Sequence, residues 1–93
     1  SHAMTLKGGI EATVVTPVEP GIVGMDIIVP KQGYPVIKQV FSDAPASQAG
    51  LQQGDVIVKI DGRLSLGKTA QEIDVAIPDI PGTPVTFTVQ RRE

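Results

Sequence analysis

The stretch Phe41–Gly62 constrains this chain more than any other, because almost every residue in it has a definable local role. Ser42 or Asp43 can cap a helix start, and Pro45 suits a first turn, where no backbone N–H is needed. Ala46–Ala49 is long enough for one or two helical turns. Gly50 stops them, since glycine enters the left-handed conformation without a Cβ clash. Leu51 follows as an apolar plug, and Gln52–Asp55 makes a polar turn around Gly54. Val56–Ile60 scarcely alternates, which predicts a strand covered on both faces. Asp61-Gly62 is a tight-turn signal reversing into another strand.

The flanking segments extend the pattern. Ile10–Thr16 is rich in β-branched residues and predicts a first strand, ended by Pro17 and Pro20. Gly21-Ile22-Val23-Gly24-Met25 leads into a strand over Met25–Val29, which Pro30 stops. Lys31–Pro35 reads as a turn and Val36–Phe41 as the next strand. Beyond the Asp61-Gly62 turn, Arg63–Leu66 is a short strand or an extended link. Thr69 and Glu72 form a capping box for a second helix running to Ile77. Ile73 and Ile77 lie four apart on one face of it. Pro78 and Pro81 end the helix, and strict alternation over Val85–Val89 buries Val85, Phe87 and Val89 together.

The run DAPASQAG-LQQGD-VIVKIDG resembles the PDZ family, whose bacterial members carry SPAxxAGLxxGDVIxxIDG, with Ala44 standing where serine is usual. The resemblance spans about residues 10–92. It implies an α+β fold: a small antiparallel β-sandwich or partly open barrel of five to six strands with two helices. Residues 1–9 fall outside it, and Ser1–Met4 reads as a cloning remnant followed by a flexible lead-in. The abrupt stop at Gln90–Glu93 predicts a domain excised from a longer protein.

Within the resemblance, Ile22, Val23, Gly24 and Met25 match the glycine-containing loop whose amides hold a peptide's terminal carboxylate. A plain turn is the competing reading of those five residues. Period-two alternation places Val23, Met25 and Ile27 on one side, as pocket lining or as ordinary core. The family alignment puts Ala70, Asp74 and Ile77 on the second helix towards the groove, opposite Ile27, with Ile73 in the core. The edge of the Met25–Val29 strand would then accept an added peptide strand. Relatives selecting a hydroxylated ligand residue often carry histidine where Ala70 stands, so Ala70 implies apolar selectivity there. Asp74 is either a solvated charge or a partner for a basic ligand side chain. Glu19-Pro20 occupy a place where relatives carry arginine or lysine, which works against anion binding.

Composition removes other functions. The net charge of −2, without a basic stripe and with three aromatic residues, does not suit nucleic-acid binding. No apolar run reaches membrane-span length, no secretory signal pattern is present, and zero cysteines exclude disulfides. The single histidine, His2, lies in the cloning remnant, so a Ser-His-Asp triad and a His/Cys zinc site are not expected. No cofactor is expected, and a Ser65–Lys68 dyad has no pocket pattern around it. The leading expectation is a non-catalytic module that takes apolar C-termini or extended segments. Its parent would be a bacterial envelope or periplasmic protease of the high-temperature-requirement, C-terminal processing or site-2 type, whose catalytic domain it neighbours. The alternative is a structural docking domain, of adaptor or secretion type, that takes no free C-terminus.

Overall fold

The computed structural model describes residues 9–16, 24–78 and 80–91. The elements in order are β1 (Ile10–Val15), β2 (Met25–Ile28), β3 (Val36–Val40), α1 (Pro45–Gln48), β4 (Val56–Ile60), β5 (Arg63–Leu64), α2 (Ala70–Ala76) and β6 (Pro84–Gln90). The strands form one antiparallel sheet in the order β1-β6-β4-β3-β2, with β5 paired to β4. The sheet stays open from β1 to β2, the unclosed form of the expected architecture.

β6 is the spine of the core. Val85, Phe87 and Val89 are fully buried, as strict alternation on a two-sided strand requires. They pack with Ala12 and Val14 of β1, Ile57 and Ile60 of β4, Ile37 of β3, Ala46 of α1, Leu51 and Ile73 of α2. At the β4–β5 hairpin, Asp61 and Gly62 both take positive φ (51° and 79°), the twist that a two-residue reversal needs. Asp61 also exchanges bonds with β6: its N–H donates to the Thr86 carbonyl at 2.7 Å, and its Oδ1 accepts from the Thr86 N–H at 2.8 Å.

Two irregularities place residues that the sequence pattern misplaces. Ile57 and Ile60 are three apart, which on a regular strand would put them on opposite faces, yet both are buried. The register shifts between Ile57 and Lys59, so Val58 is an extra residue opposite β6 and the phase is reset. Val56 and Val58 are half-buried and Lys59 is exposed. The missing alternation of β4 therefore arises largely from this bulge, which corrects the expectation of a strand covered on both faces. β3 uses the same device: Asp26 pairs with Gln39 and Ile27 with Ile37, leaving Lys38 as the extra residue. Ile37 and Val40 consequently both turn inward while Lys38 and Gln39 face water.

The start of α1 also differs from expectation. Neither Ser42 nor Asp43 caps it: the N-cap is Ala44, whose side chain makes no capping bond, and Asp43 sits at φ 62°. Pro45 occupies the first turn as predicted. The Thr69/Glu72 capping box of α2 is complete, with the Glu72 N–H donating to Thr69 Oγ1 at 3.1 Å and the Thr69 N–H donating to Glu72 Oε1 at 2.9 Å.

Candidate peptide groove at the β2 edge

Of the four loop positions expected to face a carboxylate, Ile22 and Val23 lie outside the described residues, as do Glu19 and Pro20. Gly24 and Met25 are described. Gly24 is buried at φ +87°, a conformation that L side chains rarely adopt. Its carbonyl accepts the Phe41 N–H at 2.8 Å, which fastens the start of β2 to the end of β3. The chain thus turns sharply at Gly24 and enters β2 at Met25.

β2 is the terminal strand of the sheet. It pairs with β3 on one side, and among the described residues no strand pairs with its other side. Met25 and Ile27 are half-buried and pack against the core, whereas Asp26 and Ile28 are exposed. Alternation along β2 therefore holds across the bulge, because the extra residue lies in β3.

α2 presents the other half of the candidate site. Ile73 is buried, while Ala70 and Asp74 are exposed. The helix stops at Ala76 rather than at the expected Ile77, which sits in extended backbone ahead of Pro78 and is half-buried against the core. Met25, Ile27 and Ile77 all pack against the same core. A depression of about 900 Å³ lies elsewhere: it runs between the β4–β5 hairpin and the helical face bearing Gln71, Glu72, Val75 and Ala76, and Ser65 and Lys68 line it, which corrects the expectation of no pocket around that pair. Ala70, Asp74 and Ile77 do not line it. An edge that adds a strand works through unpaired main-chain groups and requires no enclosed volume.

Three residues acquire roles that the sequence did not disclose. Asp55 is 1% exposed and accepts from Arg91 Nε at 2.8 Å, Arg91 Nη2 at 2.8 Å and the Gln52 N–H at 2.9 Å. Arg91 Nη2 also donates to the Gly50 carbonyl at 2.9 Å, and the Asp55 carboxylate raises the Arg91 pKa above its ordinary value. The pair clamps the Gly50–Asp55 turn to the end of β6. Ser65 is likewise buried; its hydroxyl donates to the Ile57 carbonyl at 2.6 Å and its N–H to the Val58 carbonyl at 3.1 Å. With that proton committed to a carbonyl, Ser65 serves the β4 bulge. Pairing across 36 residues, or with a bulge whose position depends on a partner strand, leaves no local pattern to read.

Residues 9–93 match the family described as PDZ domain, and the chain belongs to that family. It is 34% identical over 73 residues to the carboxy-terminal-processing protease of Bartonella bacilliformis, an alignment covering 78% of this chain and 17% of that protein. It is 38% identical over 58 residues to the regulator of sigma-E protease RseP of Salmonella typhimurium, covering 62% of this chain and 12% of that protein. The chain thus spans less than a fifth of the length of these bacterial proteases. Among solved structures, the PDZ domain of choanoflagellate GIPC bound to GAIP peptide superposes with a TM-score of 0.77 at 25% identity, over 94% of each chain.

Proposed function

We propose that this domain captures apolar C-terminal segments of proteins by adding them as a strand to β2, in the groove between Met25–Val29 and Thr69–Ile77. The observation that carries the reading is the terminal position of β2 directly after a buried, positive-φ glycine. An open edge supplies main-chain donors and acceptors in a row, and a chain turning at glycine can bring successive N–H groups to bear on one anion. Ile22, Val23, Gly24 and Met25 are the residues proposed to hold the carboxylate. Ile27 and Ile77 would take the terminal side chain, and Ala70 and Asp74 would meet residues upstream of it.

In this reading the module serves a larger bacterial protease of the cell envelope as a substrate-recognition or regulatory domain, and the catalytic groups lie outside residues 1–93. The similarity to two named proteases supports that parentage. The expected affinity is modest. Two or three bonds to a charged carboxylate contribute roughly 1.5–3 kcal/mol each, and one buried aliphatic side chain about 1.5–3 kcal/mol. Association costs at least about 4 kcal/mol, so the net approaches the ~8 kcal/mol of a micromolar complex or falls below it.

Calorimetric titration with a short Val-ending peptide and its C-terminally amidated twin tests the proposal. The free carboxylate should bind near micromolar and the amide at least about tenfold more weakly, since a tenfold change corresponds to about 1.4 kcal/mol. Equal binding of the two, or binding of neither, overturns carboxylate capture and leaves the docking-domain alternative.

A further inference from the structure

Gly24 of the candidate loop and Ala44, the residue just before α1, compete for one space. A Cβ built on Gly24 would lie 2.1 Å from the Ala44 Cβ, a separation that no pair of carbons tolerates, and 3.4 Å from the Ala44 Cα, an ordinary contact. The Ala44 methyl group by itself therefore excludes a side chain at Gly24. The two residues are also linked through Phe41, whose N–H donates to the Gly24 carbonyl at 2.8 Å and whose carbonyl accepts the Ala44 N–H at 3.3 Å. Loop, strand end and helix start close into one small circuit. Ala44 is the N-cap of α1 and makes no side-chain cap bond, although a serine or aspartate there would satisfy a free helix N–H. Its methyl group contributes to Gly24 rather than to the helix.

From these contacts we infer that Ala44 is a positioning residue for the carboxylate loop, acting through Gly24 and touching no ligand itself. The methyl group backs the Gly24 main chain and fixes the direction in which Gly24 leads into β2. This step rests on the peptide-capture reading above. It also makes the short helix α1 a place from which the loop is adjusted, since a bulkier group at position 44 must push Gly24 towards the groove or α1 away from it.

The test is a double-mutant cycle in the 93-residue chain, with Gly24→Ala, Ala44→Gly and both together, supplemented by Ala44→Val and Ala44→Ser. Three readouts are followed: unfolding midpoint, backbone amide NMR shifts, and affinity for the free-carboxylate peptide. Gly24→Ala should lower both affinity and midpoint, and adding Ala44→Gly should recover about tenfold of the affinity loss, a coupling typical of residues in contact. Ala44→Val should move the Gly24 and Met25 amide signals and weaken binding about tenfold, leaving the Thr69 and Asp74 signals on α2 in place. Ala44→Ser, small enough to keep the packing, should retain the wild-type affinity. Additive effects in both midpoint and affinity, or unmoved Gly24 and Met25 signals in Ala44→Val, overturn the inference. Should the wild-type chain fail to distinguish free from amidated peptide, peptide capture falls, while midpoint coupling and amide shifts still decide whether Ala44 sets the loop.

Discussion

Asp55 shows how a single residue can carry a tertiary decision. Its carboxylate is buried, and three donors from two parts of the chain converge on it. Removing the arginine strands a charge away from water, which for fully buried pairs costs about 3–5 kcal/mol. The Arg91 side chain is 24% exposed and the Gln52 N–H remains, so Arg91→Ala should cost about 3 kcal/mol, the lower end of that range. Urea unfolding followed by circular dichroism measures this, and an unchanged midpoint would contradict the clamp. Glu72 makes a different prediction. Its carboxyl is held below the ordinary 4.5, first by the Thr69 N–H, then by the Thr69 hydroxyl, with a smaller contribution from Lys68. A carboxyl depressed on folding stabilises fully above its unfolded pKa, and that contribution disappears as pH falls through the lower folded value. The Tm difference between wild type and Glu72→Ala should thus be largest near neutrality and shrink as the buffer is taken below about pH 4. A difference that stays constant with pH would rule this out.

At the level of elements, what could be read from sequence was whatever is enforced locally. The capping box of α2 spans three residues and its bonds are reciprocal, so Thr69 and Glu72 announce it. β6 alternates strictly because one face meets the core along its whole length. β4 and β3 were harder, because Val58 and Lys38 become extra residues only relative to β6 and β2. The cap of α1 departs from the sequence pattern for a related reason: Ser42 and Asp43 have capping chemistry, but the helix begins at Pro45 and its cap position belongs to Ala44. Ser65 marks how the β4 bulge is maintained, since it satisfies two carbonyls there. Ser65→Ala leaves the Ile57 carbonyl buried without the hydroxyl and should cost about 1–3 kcal/mol. Hydrogen exchange should then accelerate across β4 and β5 while β1 keeps its protection. Uniform acceleration would instead indicate a global effect.

For the molecule as a whole, the family and the order of its elements were legible because Phe41–Gly62 packs cap, stop, plug and turn residues into one contiguous run. Local spacing was legible in part: Met25 and Ile27 keep the alternation of a strand and Ile73 faces the core from α2, whereas Ile77 lies just past the helix in extended backbone, because the chain unwinds ahead of Pro78. The contact of Gly24 with Ala44 was not, since it joins two segments only after β2 and β3 have paired.

A sheet that ends in an unpaired strand also offers itself to copies of its own chain. Here that liability is contained by brevity and by one charge: β2 has four residues, and Asp26 stands exposed between Met25 and Ile27, with exposed Ile28 at the far end. Asp26→Val would leave the exposed face of β2, which already carries Ile28, wholly apolar. Light scattering should then reveal stronger concentration-dependent self-association than in the wild type, and a C-terminal peptide seated on the same strand should suppress it.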